Sequence, residues 1–375
     1  MTGLVILIFV CTVFAAISQN RDSRTLHHHK KKASKDRVFF TILVGYMVIF
    51  AGLRTSYNDT DSYISTFMKT EPITNVFNGL NWDLGTNPGF KIFTSLIRTF
   101  TDNPNIYLMI CSLIVIPLIV GFVHRYTKNF TLSMFLFFTM GYFLFCLAAI
   151  KQTMATALAV LAIQKLLDGK KLRYLLCLLL GTLIHPYCLM YLIAPILMKQ
   201  IPWHKGTWFM LFLVAIVAYS FNFLVQTILD VTDIMGEGYN KETFVGEGIN
   251  TFRVMVYFVP VVISFLWRKT LFEHTKRHEN LFMNCTIVCA LIMFVGMFGN
   301  ANMFARLAMY FEPPIYVALP WMIYKLKGKV EGLFISIMAY IAYPAYFYYQ
   351  TVMAKPFDLI YHSMSLGEFF NSLFQ

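Results

Sequence analysis

The sequence predicts an all-α, polytopic membrane protein, and three observations carry that reading. Hydrophobic residues fill 58% of the 375 positions and charged residues only 13%. Apolar runs recur along the whole chain, most of roughly 17 to 20 residues, the length a helix needs to cross about 30 Å of hydrocarbon. Lysine and arginine collect in alternate breaks between those runs, as they do in cytoplasmic loops.

The runs place about eleven transmembrane segments, within a range of about ten to twelve. They lie at 2–17, 38–53, 105–123, 130–147, 150–167, 174–198, 207–229, 252–267, 281–298, 307–324 and 332–349, in one integral membrane domain over 1–375. The first segment lacks a basic leader and a small-residue cleavage site, so it is expected to be a retained helix. The loop at 20–37 carries Arg21, Arg24, Lys30, Lys31, Lys32, Lys35 and Arg37 against Asp22 and Asp36. That excess makes it cytoplasmic and puts the N-terminus outside. His27, His28 and His29 belong to this solvated basic loop, because three adjacent imidazoles cannot converge on one ion.

Threading outward, the loops at 124–129, 168–173, 199–206, 268–279 and 325–329 are also expected inside. With 20–37 and Lys165 they hold 22 of the 31 Lys and Arg. The loop at 230–250 is acidic and expected outside, with Asp230, Asp233, Glu237, Glu242 and Glu247 against Lys241. The net charge of +12 is therefore a topology signal and calls for no nucleic acid.

The segment at 174–198 has basic flanks at both ends, which a single crossing does not explain. His185-Pro186 sits near its middle, and proline removes a backbone donor and turns the preceding residue away from helix. Two half-length helices meeting there, a broken or re-entrant segment, reconcile the flanks. One kinked spanning helix is the alternative, and it moves the C-terminus to the other side.

In this topology the informative polar residues gather on the outer side. Arg54, Asp59, Asp61 and Tyr63 open a long external loop at 54–104 that also contains Asn87-Pro88-Gly89. Lys151 and Gln152 begin the fifth segment, Arg306 begins the tenth, and His185 approaches the same half from the hairpin. Taken singly, a lone Arg or Lys at a helix end snorkels to headgroups. Asp59 also reads as a helix cap. His185 is the stronger candidate, since an imidazole at membrane depth needs a partner and moves protons near neutral pH. Tyr57, Tyr63, Trp82 and Phe90 offer aromatic faces on which a sugar stacks or which pack the loop.

Other chemistries are disfavoured. There is no Walker-type glycine loop for an ATP-driven pump. The seven cysteines lie in apolar runs without paired zinc spacing and read as small buried hydrophobes. Carboxylates are scarce within the spans, unlike a proton-coupled transporter. No metal and no cofactor is expected.

Gly52-Leu-Arg54, Asp59-Thr-Asp-Ser-Tyr63, Asn87-Pro-Gly-Phe90, Ile150-Lys-Gln-Thr-Met-Ala155, Ile184-His-Pro186 and Arg306 with Tyr310-Phe311, in that order, resemble the EpsG family of Wzy-type polysaccharide polymerases. Lys151 stands where that family usually has arginine, keeping a cation but losing the bidentate fork.

The resemblance implies a GT-C-like fold and a glycosyltransferase on the outer face of a bacterial inner membrane. Its substrate would be an oligosaccharide repeat unit on undecaprenyl pyrophosphate, joined during O-antigen, capsule or exopolysaccharide synthesis. Membrane lipids, a flippase and a chain-length regulator are the partners it suggests. Arg54, Lys151 and Arg306 are then expected to neutralise the pyrophosphate, with Gln152, Asn87 and Tyr63 contacting substrate. His185, or one of Asp59 and Asp61, is expected to take the acceptor proton. A flippase for lipid-linked oligosaccharides and a ligase are the alternatives.

Overall fold

The computed structural model describes residues 1–18, 29–76, 80, 82–234, 242 and 244–373. Much of the basic loop, including His27 and His28, lies outside the described residues, as do Glu237 and Lys241 of the acidic loop. The chain forms two compact units, one of residues 1–192 with 337–375 and one of residues 193–336.

The first unit begins with α1 (Thr2–Ser18), α2 (His29–Gly52) and a short strand β1 (Arg54–Ser56). The external loop predicted at 54–104 is itself largely helical, with α3 (Thr60–Lys69), α4 (Ile73–Val76) and α5 (Pro88–Phe100). Five more helices follow, α6 (Pro104–Tyr126), α7 (Phe130–Thr139), α8 (Tyr142–Ala148), α9 (Ile150–Leu167) and α10 (Lys171–Ile184). Asparagine starts two of them, α6 and α7: the side chains of Asn103 and Asn129 accept from the amides of Asn105 and Leu132, satisfying orphan donors of the first turn. α9 lies at the centre, buried along most of its length, and its small residues Ala155, Ala157, Ala159 and Ala162 let neighbouring helices approach closely.

The second unit contains α11 (Ala194–Lys199), α12 (Lys205–Tyr219), α13 (Phe221–Ile234), α14 (Thr251–Leu266), α15 (Arg268–Leu271), α16 (Arg277–Val295), α17 (Ala301–Met309) and α18 (Ile315–Lys325). α16 is its buried axis. Asn284 on α16 donates to the carbonyls of Leu197 and Gln200, closing the C-terminal end of α11. α19 (Val330–Tyr348) leads back into the first unit, where a π-helical turn at Tyr349–Ala354, α20 (Phe357–Ile360), β2 (His362–Ser363) and α21 (Leu366–Ser372) complete the chain. β2 pairs antiparallel with β1, Arg54 opposite Ser363 and Ser56 opposite His362.

By length and composition, three described helical stretches can each cross a membrane: Pro104–Tyr126, Arg277–Val295 and Val330–Ala354. Counting the bent pairs Phe130–Ala148 and Lys205–Thr227 as single spans makes five. The protein is a helical membrane protein. Several apolar runs are interrupted where the sequence reading drew them whole. The run at 130–147 bends by 55° at Gly141, whose φ of 90° is the left-handed region that glycine tolerates. The run at 207–229 bends by 75° beside Ser220. The run at 307–324 is divided before α18 by Glu312-Pro313-Pro314, because consecutive prolines cannot continue a helix.

The break at His185-Pro186 is present. α10 ends at Ile184, His185 is extended with φ −158° and ψ 124°, and Pro186–Ile193 forms a 3₁₀ turn. The chain doubles back there, since the Tyr174 hydroxyl donates to the Tyr191 carbonyl at 2.7 Å. Gly181 permits the reversal: a Cβ at that position would lie 2.5 Å from the Cys188 sulfur.

Candidate functional site

Arg54 enters the structure as the first residue of β1 and is 1% exposed. Its Nε donates to Thr60 Oγ1 at 3.3 Å, and its Nη1 donates to the Ala51 carbonyl and to Ser112 Oγ at 3.4 Å. The guanidinium thereby ties α2, α3 and α6 together. Tyr361, Tyr107, Tyr63 and the Cys111 thiol stand within electrostatic reach. Among the described residues no carboxylate forms an ion pair with it. Neutral dipoles hold this cation out of water.

The C-terminal segment closes over the same strand. Besides the β1–β2 pairing, the Met364 amide donates to the Leu53 carbonyl at 3.0 Å, and the Tyr361 hydroxyl to the Phe50 carbonyl at 3.0 Å. Tyr361 stacks on Phe50 and on Phe357, and Lys355 donates to the side chain of Asn58. No apolar run or motif in the sequence announces this contact between the C-terminal segment and β1. One signal for its last helix was legible, because Ser365-Leu-Gly-Glu368 is a capping box and forms one.

Asp59 occupies the N-cap position of α3 without making a side-chain cap bond, and Asp61 is exposed and accepts from Ser56 Oγ at 3.4 Å. One turn on, Tyr63 is buried at 8% exposure. Its hydroxyl oxygen accepts from the backbone N–H of Lys151 at 3.3 Å. That amide belongs to the first turn of α9, where no intrahelical partner exists and the N-cap residue, Ala149, has no side chain to supply one. Tyr63 also sets its edge against Phe90, with ring centroids 6.0 Å apart. The Lys151 ammonium lies 5.9 Å from the Phe90 ring centroid. Gln152, 5% exposed, has its Oε1 buried without a hydrogen-bond partner.

Phe90 is presented by the first turn of α5. Asn87 precedes that helix in the left-handed region, φ 55° and ψ 58°, and its Oδ1 is buried and unpartnered while its Nδ2 donates to the Gly85 carbonyl. Gly89 then docks against the end of α10. A Cβ at Gly89 would lie 2.7 Å from Leu183 Cβ and 2.9 Å from the Leu183 carbonyl oxygen, so only glycine fits. Leu183 is two residues before His185, which is half-buried and meets the Tyr187 ring edge-on at 4.7 Å.

Four sequence-predicted motifs thus meet within the first unit: Tyr63 on α3, Asn87 to Phe90 on α5, Lys151 and Gln152 on α9, and the His185 break after α10. Trp82 is 60% exposed, and Tyr57 packs against Phe357 and Tyr361. Arg306 belongs to the second unit, in the last turn of α17. A feature not anticipated lies in that unit: Glu312 is fully buried and accepts hydrogen bonds from Tyr257 and Tyr316. Among the described residues no three His, Cys, Asp or Glu side chains are grouped to share a metal ion.

Neither the curated proteins nor the solved structures yield a match to this chain. The profile of the EpsG family matches residues 37–364, from within α2 to just past β2. That stretch includes each motif described above and the strand that covers Arg54, and the chain therefore belongs to the EpsG family.

Proposed function

We propose that this chain is a membrane glycosyltransferase that polymerises lipid-linked oligosaccharide repeat units into an O-antigen, capsule or exopolysaccharide. Family membership supports polysaccharide polymerisation in general terms. The observation that carries the finer reading is the assembly of Tyr63, Phe90 and Lys151 at the N-terminus of α9. An aromatic wall accepts the face of a sugar ring. A helix N-terminus and an ammonium beside it favour phosphate.

In the proposed reaction the donor glycan is held on undecaprenyl pyrophosphate at the outer face of the bacterial inner membrane. A hydroxyl of the acceptor repeat unit attacks the donor's anomeric carbon and forms the glycosidic C–O bond. The bond from that carbon to pyrophosphate breaks, and the electron pair departs with the lipid pyrophosphate. Lys151 and the α9 dipole stabilise the charge that develops there. The hydroxyl proton passes to a general base, His185 in our preferred assignment, with Asp59 and Asp61 as the alternatives. Gln152 and Asn87 present acceptor oxygens to sugar hydroxyls. Arg54 serves by fixing the start of α3, and Arg306 is a separate substrate-binding candidate.

The test is deletion of the gene followed by sizing of lipid-linked glycans, with complementation by the intact protein and by Lys151→Ala, His185→Ala and Arg306→Ala at matched abundance. Single repeat units on the carrier, restored to a ladder by the intact protein alone, are expected. Repeats trapped on the inner face would assign a flippase instead, and full-length polymer left unattached would assign a ligase.

A further inference from the structure

The second unit holds a cavity of about 600 Å³ lined by none of the motif residues, with Trp203, His204, Arg268, Lys269, Phe272 and Glu273 in its wall. Its aromatic side is held rigidly. Trp203 has φ 65°, a left-handed conformation that a bulky residue adopts only when its surroundings enforce it. Here its backbone N–H donates to Thr207 Oγ1 and its indole N–H to Ser264 Oγ, each at 3.0 Å. The indole packs on Phe265 at 4.9 Å. Arg268 lies over the other partner of that pair, 4.4 Å from the Phe265 centroid, and donates to the Phe265 carbonyl. The rim therefore carries Arg268, Lys269 and the His204 imidazole against one carboxylate, Glu273.

Apolar surface adjoins this basic rim. Phe209 and Phe212 on α12 are each 62% exposed and Leu266 at the end of α14 is 60% exposed. Tryptophan and clustered cations at helix ends beside exposed apolar side chains are the features of a membrane–water boundary. We propose that this cavity binds the phosphodiester headgroup of an anionic phospholipid, with Arg268 and Lys269 pairing with the phosphate and the acyl chains running along α12. The site is independent of the polymerase reading.

The experiment uses the full chain purified in detergent, with native mass spectrometry and thermal melting after addition of phosphatidylglycerol, phosphatidylcholine or glycerol phosphate. Phosphatidylglycerol should be retained and should raise the melting temperature, with phosphatidylcholine doing neither. Each basic residue contributes about fivefold at a charged lipid surface, so Arg268→Gln and Lys269→Gln should each weaken retention by about that factor and the double variant by about 25-fold. Glu273→Gln should strengthen it, a gain that misfolding cannot produce. Unchanged retention in the double variant, or equal retention of phosphatidylcholine, would overturn the proposal. Displacement by glycerol phosphate at equal concentration would also overturn it, by making the ligand a soluble phosphoester.

Discussion

Replacing Gly89 by alanine probes the contact on which the candidate site depends. The new Cβ would stand 2.7 Å from Leu183 Cβ, 2.8 Å from its carbonyl carbon and 2.9 Å from its carbonyl oxygen. None of these is the movable end of a side chain, so the helices themselves must part. Ordinary contact begins at 3.4 Å, which requires α5 to retreat from α10 by about 0.7 Å at a stability cost of about 1–3 kcal/mol. Phe90 follows in the next position, so the same retreat moves the aromatic wall away from Lys151. Misplacement of reacting groups by about 1 Å costs on the order of 100-fold in rate, and a loss of roughly 10- to 100-fold in polymerisation is expected. The assay is ladder formation on lipid-linked repeats, read beside the melting temperature of the purified protein. Gly121→Ala is the control: it sits on α6 with nothing within 4 Å, and alanine there should stabilise by up to about 1 kcal/mol. If Gly89→Ala made normal polymer with normal melting, the close approach of α5 to α10 and its role in seating the site would both be refuted.

Tyr63→Phe keeps the ring beside Phe90 but strips the acceptor from the Lys151 amide, so it should cost about 1 kcal/mol and lower polymer yield less than Tyr63→Ala does. Gln152→Leu removes a buried oxygen that has no protein partner; stability should hold or rise by about 1 kcal/mol, read by thermal melting, while polymerisation falls, and a loss of both would show that Gln152 is purely structural. Arg54→Ala deprives Ala51, Thr60 and Ser112 of their common donor, and should lower stability by roughly 3 kcal/mol as measured by thermal melting, with Arg54→Lys intermediate. Deletion of 362–373 should reproduce part of that loss by removing the strand paired with Arg54, seen as reduced abundance in the membrane.

Much of the helical layout was legible because each apolar run reports only its own composition. The break at His185-Pro186 was legible for the same reason: proline acts on its immediate neighbours. The meeting of Tyr63, Phe90 and Lys151 was anticipated only as a shared side of the membrane, and their contacts follow from how α3, α5 and α9 pack. The fate of Arg54 was not legible. Its burial depends on Ser112 and on a strand about 300 residues later, and a two-residue strand leaves no periodic trace. Glu312 has no such trace, because one of the two hydroxyls that solvate it, Tyr316, is four residues on, but the other, Tyr257, comes from 55 residues earlier in the chain.

Helices of the first unit differ in how the amides of their first turns are satisfied. Asn103 and Asn129 spend their side chains on the amides that follow, as good capping residues do. Asp59 before α3 and Asn87 before α5 are equally good capping types, yet neither makes a side-chain cap bond. Ala149 before α9 cannot make one. Lys170 before α10 also lacks a cap, but it is exposed and water serves the amides there. Each missing cap forgoes about 1 kcal/mol unless another group takes its place, as the Tyr63 hydroxyl does for the Lys151 amide of α9. Gly141 before α8 makes none either, while the omissions at α3, α5 and α9 fall beside the family motifs, together with the left-handed Asn87 and the unpartnered oxygens of Asn87 and Gln152. Under the proposed function, the Asn87 and Gln152 oxygens that no protein group satisfies are the ones left to hydrogen-bond substrate.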